Sequence, residues 1–252
     1  MVTQQQKSSE VFYPESDGKP MADNTKQFRW IVVIEQNLEW LFADNADVFV
    51  AGDLLWYPVE GNNRLSTAPD AMVVFGRPKG DRGSYQQWKE DNIPPQVVFE
   101  ILSPSNTQQE MEQKLLFYHS YGVEEYYVYD PDRIRLEGWR RSEDGLLDRI
   151  ESISGWVSPR LGIRFELGEE LQLYRPDGMP FFSFAEINQM LDQERQRAEQ
   201  AEQQLEQERR RAEQAEQQLE QERQRAGQAE QRAQQLAERL RSLGIDPEIL
   251  QD

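Results

Sequence analysis

The chain has 252 residues, a formal net charge of −18 from 46 acidic and 28 basic side chains, and 37% hydrophobic residues, with aromatics at 10%. It has no cysteine and one histidine, His119, which excludes disulfides, thiolate metal centres, a Cys nucleophile and multi-His zinc sites. No apolar run approaches the roughly 18–20 residues of a membrane span, and MVTQQQKSSE lacks an apolar signal core, so a cytoplasmic address is expected.

After Leu191 the Trp, Phe, Tyr, Val and Ile residues nearly vanish, so the core must lie before it. Residues 190–243 carry twelve acids against ten arginines, and the last nine residues add three acids, leaving −13 on the preceding part. An acidic domain is repelled by nucleic acid at long range, so acting on DNA or RNA would require a local basic patch, bound cations or a partner.

Residues 1–24 are polar and punctuated by Pro and Gly, the pattern of a disordered N-terminal segment. A helix is expected from Thr25, with Thr25 as its cap and Phe28, Ile31, Leu38, Leu41 and Phe42 at helical spacing, ending near Asp44. Strands are expected at 46–51, 53–57 and 70–75. The stretch 76–95 reads as a long loop, either a binding or lid element presenting Tyr85 and Trp88, or a surface loop pinned by them. QVVFEIL, 96–102, is apolar on both faces, as in the middle of a sheet. Thr107 and Glu110 form a capping-box pattern that opens a helix to about Tyr121, closed by Gly122. Residues 124–130 and 134–140 read as a hairpin, with weaker strands at 146–153, 161–166 and 171–174. One strand–helix–strand unit within a hairpin-linked sheet gives a mixed α/β or α+β class.

In the tail, AEQAEQQLEQERRR at 198–211 recurs as AEQAEQQLEQERQR at 212–225. Apolar and alanine positions from Leu191 to Leu243 alternate in steps of three and four, a coiled-coil seam, although its alanines and glutamates bury little. The resulting organisation is a disordered segment at 1–24, a folded domain at 25–183, a coiled-coil helix at 184–243 that makes a homodimer, and a tail at 244–252. A solitary, salt-laced helix is the alternative.

Four charged residues interrupt apolar patterns, and such groups are rarely buried unless paired or used. Glu100 lies inside QVVFEIL among core neighbours. Asp70 opens the strand AMVVF. With the Ile101 backbone carbonyl beside them, these carboxylates would form an oxygen-rich site suited to Mg²⁺ or Mn²⁺. Lys114 falls inside the arc of Met111, Leu115, Phe117, Tyr118 and Tyr121, and Glu35 lies on the stripe of Ile31, Leu38 and Phe42. Each alone could equally be a stripe-edge group or a structural ion pair.

APDAMVVF, PPQVVFEILSPSN and QKLLFYHSYGVEEYYVYDP together resemble the Uma-type restriction endonucleases, a branch of the PD-(D/E)xK nuclease superfamily, over about residues 25–180. The resemblance implies a central mixed sheet flanked by helices. It also implies metal ligands at Asp70 and Glu100, a helical acid at Glu35, and a lysine that positions and deprotonates water. The superfamily lysine falls two residues after the glutamate, where this chain has Leu102; Lys114, on the following helix, is the candidate replacement. The expected activity is Mg²⁺-dependent phosphodiester hydrolysis on nucleic acid, DNA above RNA. Binding should be weak and salt-sensitive, with Arg77, Lys79, Arg82 and Lys89 as phosphate contacts. The alternatives are a catalytically silent binding module of the same fold, and a scaffold in which the coiled coil is the working part.

Overall fold

The computed structural model describes residues 11–242 and divides the chain into two compact units, 1–186 and 187–252. The described residues form three α-helices: α1 (Thr25–Leu41), α2 (Gln108–Ser120) and α3 (Phe184–Ser242). The strands are β1 (Val48–Ala51), β2 (Trp56–Tyr57), β3 (Ala71–Phe75), β4 (Tyr85–Gln86), β5 (Val97–Ile101), β6 (Glu125–Asp130), β7 (Arg135–Arg141), β8 (Leu147–Arg149), β9 (Arg164–Leu167) and β10 (Leu171–Tyr174). The main sheet has the order β1-β3-β5-β6-β7-β8, and β2–β4 and β9–β10 form two small sheets. Only β5 and β6 pair in parallel within the main sheet, because α2 carries the chain back between them; the other pairings are antiparallel. This is a mixed α/β domain.

β5 and β6 are buried along their whole length, as central strands covered on both faces must be. Side chains alternate along β5. Phe99 and Ile101 join Trp30, Ile31, Ile34 and Leu38 of α1 in one core. Val98 faces the other way, into a second core with Met72, Tyr118, Tyr126 and Trp56. Glu100 shares the parity of Val98 and so lies on the α2 side.

The cap of α1 is Asn24, not Thr25: the Asn24 side chain accepts from the Gln27 backbone N–H at 2.9 Å. Its buried stripe is Gln27, Trp30, Ile31, Ile34, Asn37 and Leu38, whereas Phe28 is half exposed. At the start of α2 Thr107 accepts from the Glu110 N–H at 3.2 Å. Gly122, at φ +92°, ends that helix in the left-handed conformation that glycine adopts freely. The guanidinium of Arg141 then donates to the carbonyls of His119 (2.7 Å) and Val123 (2.8 Å), closing the helix terminus against β7.

Of the segment expected to be disordered, residues 1–10 lie outside the described residues, but 11–24 lie against the domain. Tyr13 packs its ring on Tyr57 and Trp88 at centroid distances of 5.2 and 4.8 Å, and Tyr57 donates its hydroxyl to the Pro14 carbonyl at 2.8 Å. The 76–95 loop is also pinned: Tyr85 is fully buried and donates to the Ile93 carbonyl at 2.6 Å. The expected phosphate contacts there are largely committed. Arg77 pairs with Glu90 and Asp91, Arg82 with Glu90, and Lys79 with Glu39.

Helix α3 opens with a capping box. Ser183 accepts from the Glu186 N–H, and the Glu186 carboxylate accepts from the Ser183 N–H at 2.7 Å. Along it Leu205 and Leu219, fourteen residues apart, are 59% and 51% exposed, so the helix has an apolar seam with no partner among the described residues. The expected tail at 244–252 lies outside the described residues. No helix of the described residues is long and apolar enough to cross a membrane.

Candidate active site

The β3–β5 register pairs Ala71 with Phe99 and Met72 with Val98. One further step sets Asp70 opposite Glu100, on the face that α2 covers. The Asp70 carboxylate accepts from the Ile101 backbone N–H at 2.6 Å, which fixes it at the strand start. Helix α2 approaches the same point with Lys114 and Tyr118, one turn apart and therefore on one face. Lys114 Nζ donates to Glu100 Oε2 at 2.6 Å, and the Tyr118 hydroxyl donates to Glu100 Oε1 at 2.5 Å.

These groups open into a polar cleft of about 720 Å³. Its walls include Asp70, Glu100, Ile101 and Lys114 together with Gln27, Asp53, Asp23 and Lys19. Asp70, Glu100, Ile101 and Lys114 thus line one cleft. Glu35 does not line the cleft. Its stem packs beside Gly52, whose other close neighbour is the Asp70 carbonyl, and its carboxylate accepts from Gln36. The helical residue that reaches the centre is Gln27, one turn from the N-terminus of α1. Gln27 donates Nε2 to the Ile101 carbonyl at 2.8 Å and accepts at Oε1 from the Asp23 N–H at 2.8 Å.

Electrostatics follow from burial of like charges. Burial, then the neighbouring Glu100 charge, raises the Asp70 carboxyl well above the ordinary carboxylate range. Burial works against the Lys114 ammonium, but the charges of Glu100 and Asp70 outweigh it, so the lysine is held cationic. Asp53 is raised by burial and by Asp17. Burial and Glu100 push the Tyr118 hydroxyl far up, leaving it a permanent donor.

Sequence reasoning missed Gln27, Asp53 and Tyr118. Gln27 carried a signal, a polar residue four before Ile31 on the buried stripe. Tyr118 was visible only as part of an aromatic arc. Asp53 had no signal: it sits at φ +48° in the turn after β1, and its backbone N–H is held by the Pro69 carbonyl.

A mixed sheet with a carboxylate pair and a helical lysine at one end is the class of domain that the fold and cleft define. The model of the Uma2 family, described as "Putative restriction endonuclease", matches residues 18–172, and the chain belongs to that family. One similar solved structure is "a putative nuclease belonging to DUF820" from Anabaena variabilis. It is 17% identical, covering 56% of this chain and 74% of that one, with a TM-score of 0.41. No curated protein matches.

Proposed function

We propose that this protein is a metal-dependent nuclease that hydrolyses phosphodiester bonds in the cleft between β3, β5 and α2. The carrying observation is the buried Asp70–Glu100 pair with Lys114 held at 2.6 Å from Glu100. The donors suit Mg²⁺ or Mn²⁺, since they are all oxygens: two carboxylates and the Ile101 carbonyl. Two buried carboxylates are balanced by one ammonium; burial, and after it the neighbouring Glu100 charge, raises Asp70. Among the described residues no three Asp, Glu, His or Cys side chains converge on one point. Mg²⁺ keeps several waters and is held by one or two protein carboxylates, so Asp70 and Glu100 would suffice as its side-chain ligands.

When bound, such an ion polarises a phosphate and lowers the pKa of water. The chain's own residues prepare the rest. Gln27 fixes the direction of the Ile101 carbonyl, and Tyr118 fixes the Glu100 carboxylate. Lys114, once Glu100 is shared with a cation, can turn its ammonium to a phosphate oxygen or the attacking water, stabilising charge that develops in the transition state.

The test is cleavage of single- and double-stranded DNA and RNA by the full chain with Mg²⁺ or Mn²⁺. Wild-type cleavage is expected, with losses of about 10²-fold or more in Asp70→Asn and Lys114→Met. Wild-type protein inert on every substrate and metal would overturn the reading. A binding module of the same fold is then favoured by a specific observation: both Glu100 oxygens are already occupied, by Lys114 and Tyr118. Retained nucleic-acid binding without cleavage would identify it.

A further inference from the structure

The segment 14–23 forms a strap along the cleft. At one end Tyr57 donates to the Pro14 carbonyl. At the other the Asp23 carboxylate accepts from the Ser103 hydroxyl at 2.6 Å and from Ser105. Between these anchors Asp17, Lys19, Pro20, Met21 and Ala22 line the cleft. Gly18, at φ +79° and with open space around it, makes the turn after Asp17, whose carboxylate accepts the Lys19 backbone N–H at 2.9 Å.

The cleft has two cations among its described lining residues, Lys114 and Lys19. Lys114 is engaged by Glu100. The exposed Lys19 ammonium forms no ion pair among the described residues, and Asp23, whose carboxylate feels its charge, is already held by two serine hydroxyls. By contrast, Arg77, Lys79 and Arg82 are tied to acids of their own surface. A polyanion entering this cleft therefore meets one uncommitted cation, and the strap presents it.

We propose that Lys19 is a substrate-contact residue, binding a backbone phosphate of a nucleic-acid strand, and that the strap is one wall of the substrate site. This rests on the cleft being a nucleic-acid site, but not on hydrolysis there. The experiment is fluorescence anisotropy of a labelled single-stranded oligonucleotide with the full chain, in Ca²⁺, over a series of salt concentrations. Lys19→Gln is expected to weaken binding and to reduce the slope of log K against log[salt] by about 0.7, the counterion release of one phosphate contact on a single strand. Lys19→Arg should keep the wild-type slope, and Lys79→Gln, which removes an ion-paired cation, should leave it unchanged. Where cleavage is measurable, Lys19→Gln raises KM and leaves kcat in place. An unchanged slope in Lys19→Gln, an equal fall in Lys79→Gln, or no binding by the wild type overturns the proposal. Binding without cleavage would sink the hydrolase reading alone, and the slopes would still decide the role of Lys19.

Discussion

Glu100 is 2% exposed and accepts from both Lys114 and Tyr118, so the chemistry of the cleft is set at single side chains. Its pairing with Lys114 makes the two residues interdependent. Removing one partner of a buried pair leaves the other charge uncompensated, which costs about 3 kcal/mol at such sites. Lys114→Met is thus expected to destabilise the chain by about that amount, and Lys114→Met/Glu100→Gln to recover most of it, as read from urea midpoints at unchanged m-value. A double variant no more stable than Lys114→Met would show that the pair is not energetically coupled. Asp70 behaves oppositely. The folded chain holds a proton on Asp70 to higher pH than the unfolded chain does. Its contribution to stability is therefore complete below the unfolded carboxylate value of about 3.9 and is lost as pH rises through the raised folded value. Asp70→Asn should abolish that decline and gain about 1–3 kcal/mol at neutral pH without metal. Parallel stability–pH curves for the two proteins would contradict the assignment.

Helices α2 and α3 are held in contrasting ways. Helix α2 is short, and only Tyr118 on it is fully buried, so its placement depends on the Thr107 cap and on Arg141 at its far end. Helix α3 is a different case: 59 residues with no buried side chain. A helix of that length with leucines recurring every fourteen residues is expected to pair through its seam with a second copy of the chain. Light scattering should give a dimer for the full chain and a monomer for a chain ending at Ser183. Leu205→Glu with Leu219→Glu should also give a monomer, since two charges in each seam oppose pairing. A monomer for both the full and the shortened chain would leave α3 a solitary helix.

For the whole molecule the dominant quantity is the charge of −18. Such a chain resists polyanions, so nucleic-acid binding should depend on divalent cation as well as on salt. The same cation is expected to stabilise the fold. At a hundredfold excess over its Kd, Mg²⁺ should add about 2.7 kcal/mol, a rise of about 5–10 °C in Tm. Asp70→Asn and Glu100→Gln should lose that rise. A wild-type Tm indifferent to Mg²⁺ and Mn²⁺ would remove the metal from the proposed function, whatever the cleavage assay gives.

Much of the fold was legible along the chain because its signals are local. The two-faced apolar run of β5, the Thr107–Glu110 cap, the hairpin of β6 and β7 and the break in composition after Leu191 each depend on neighbours a few residues away. Asp70, Glu100 and Lys114 were visible as charges where apolar residues belong. Tertiary structure alone decided which face each side chain took and what met it there. It brought Gln27 rather than Glu35 to the Ile101 carbonyl, because Gln27 lies on the buried stripe of α1 beside the end of β5, whereas Glu35 packs against Gly52. It buried Tyr85 and tied the loop arginines to Glu90, and it laid residues 14–23 along the cleft. The placement of 14–23 rests on contacts between residues tens of positions apart, Tyr57 with Pro14 and Ser103 with Asp23, whose partners no periodicity or spacing encodes.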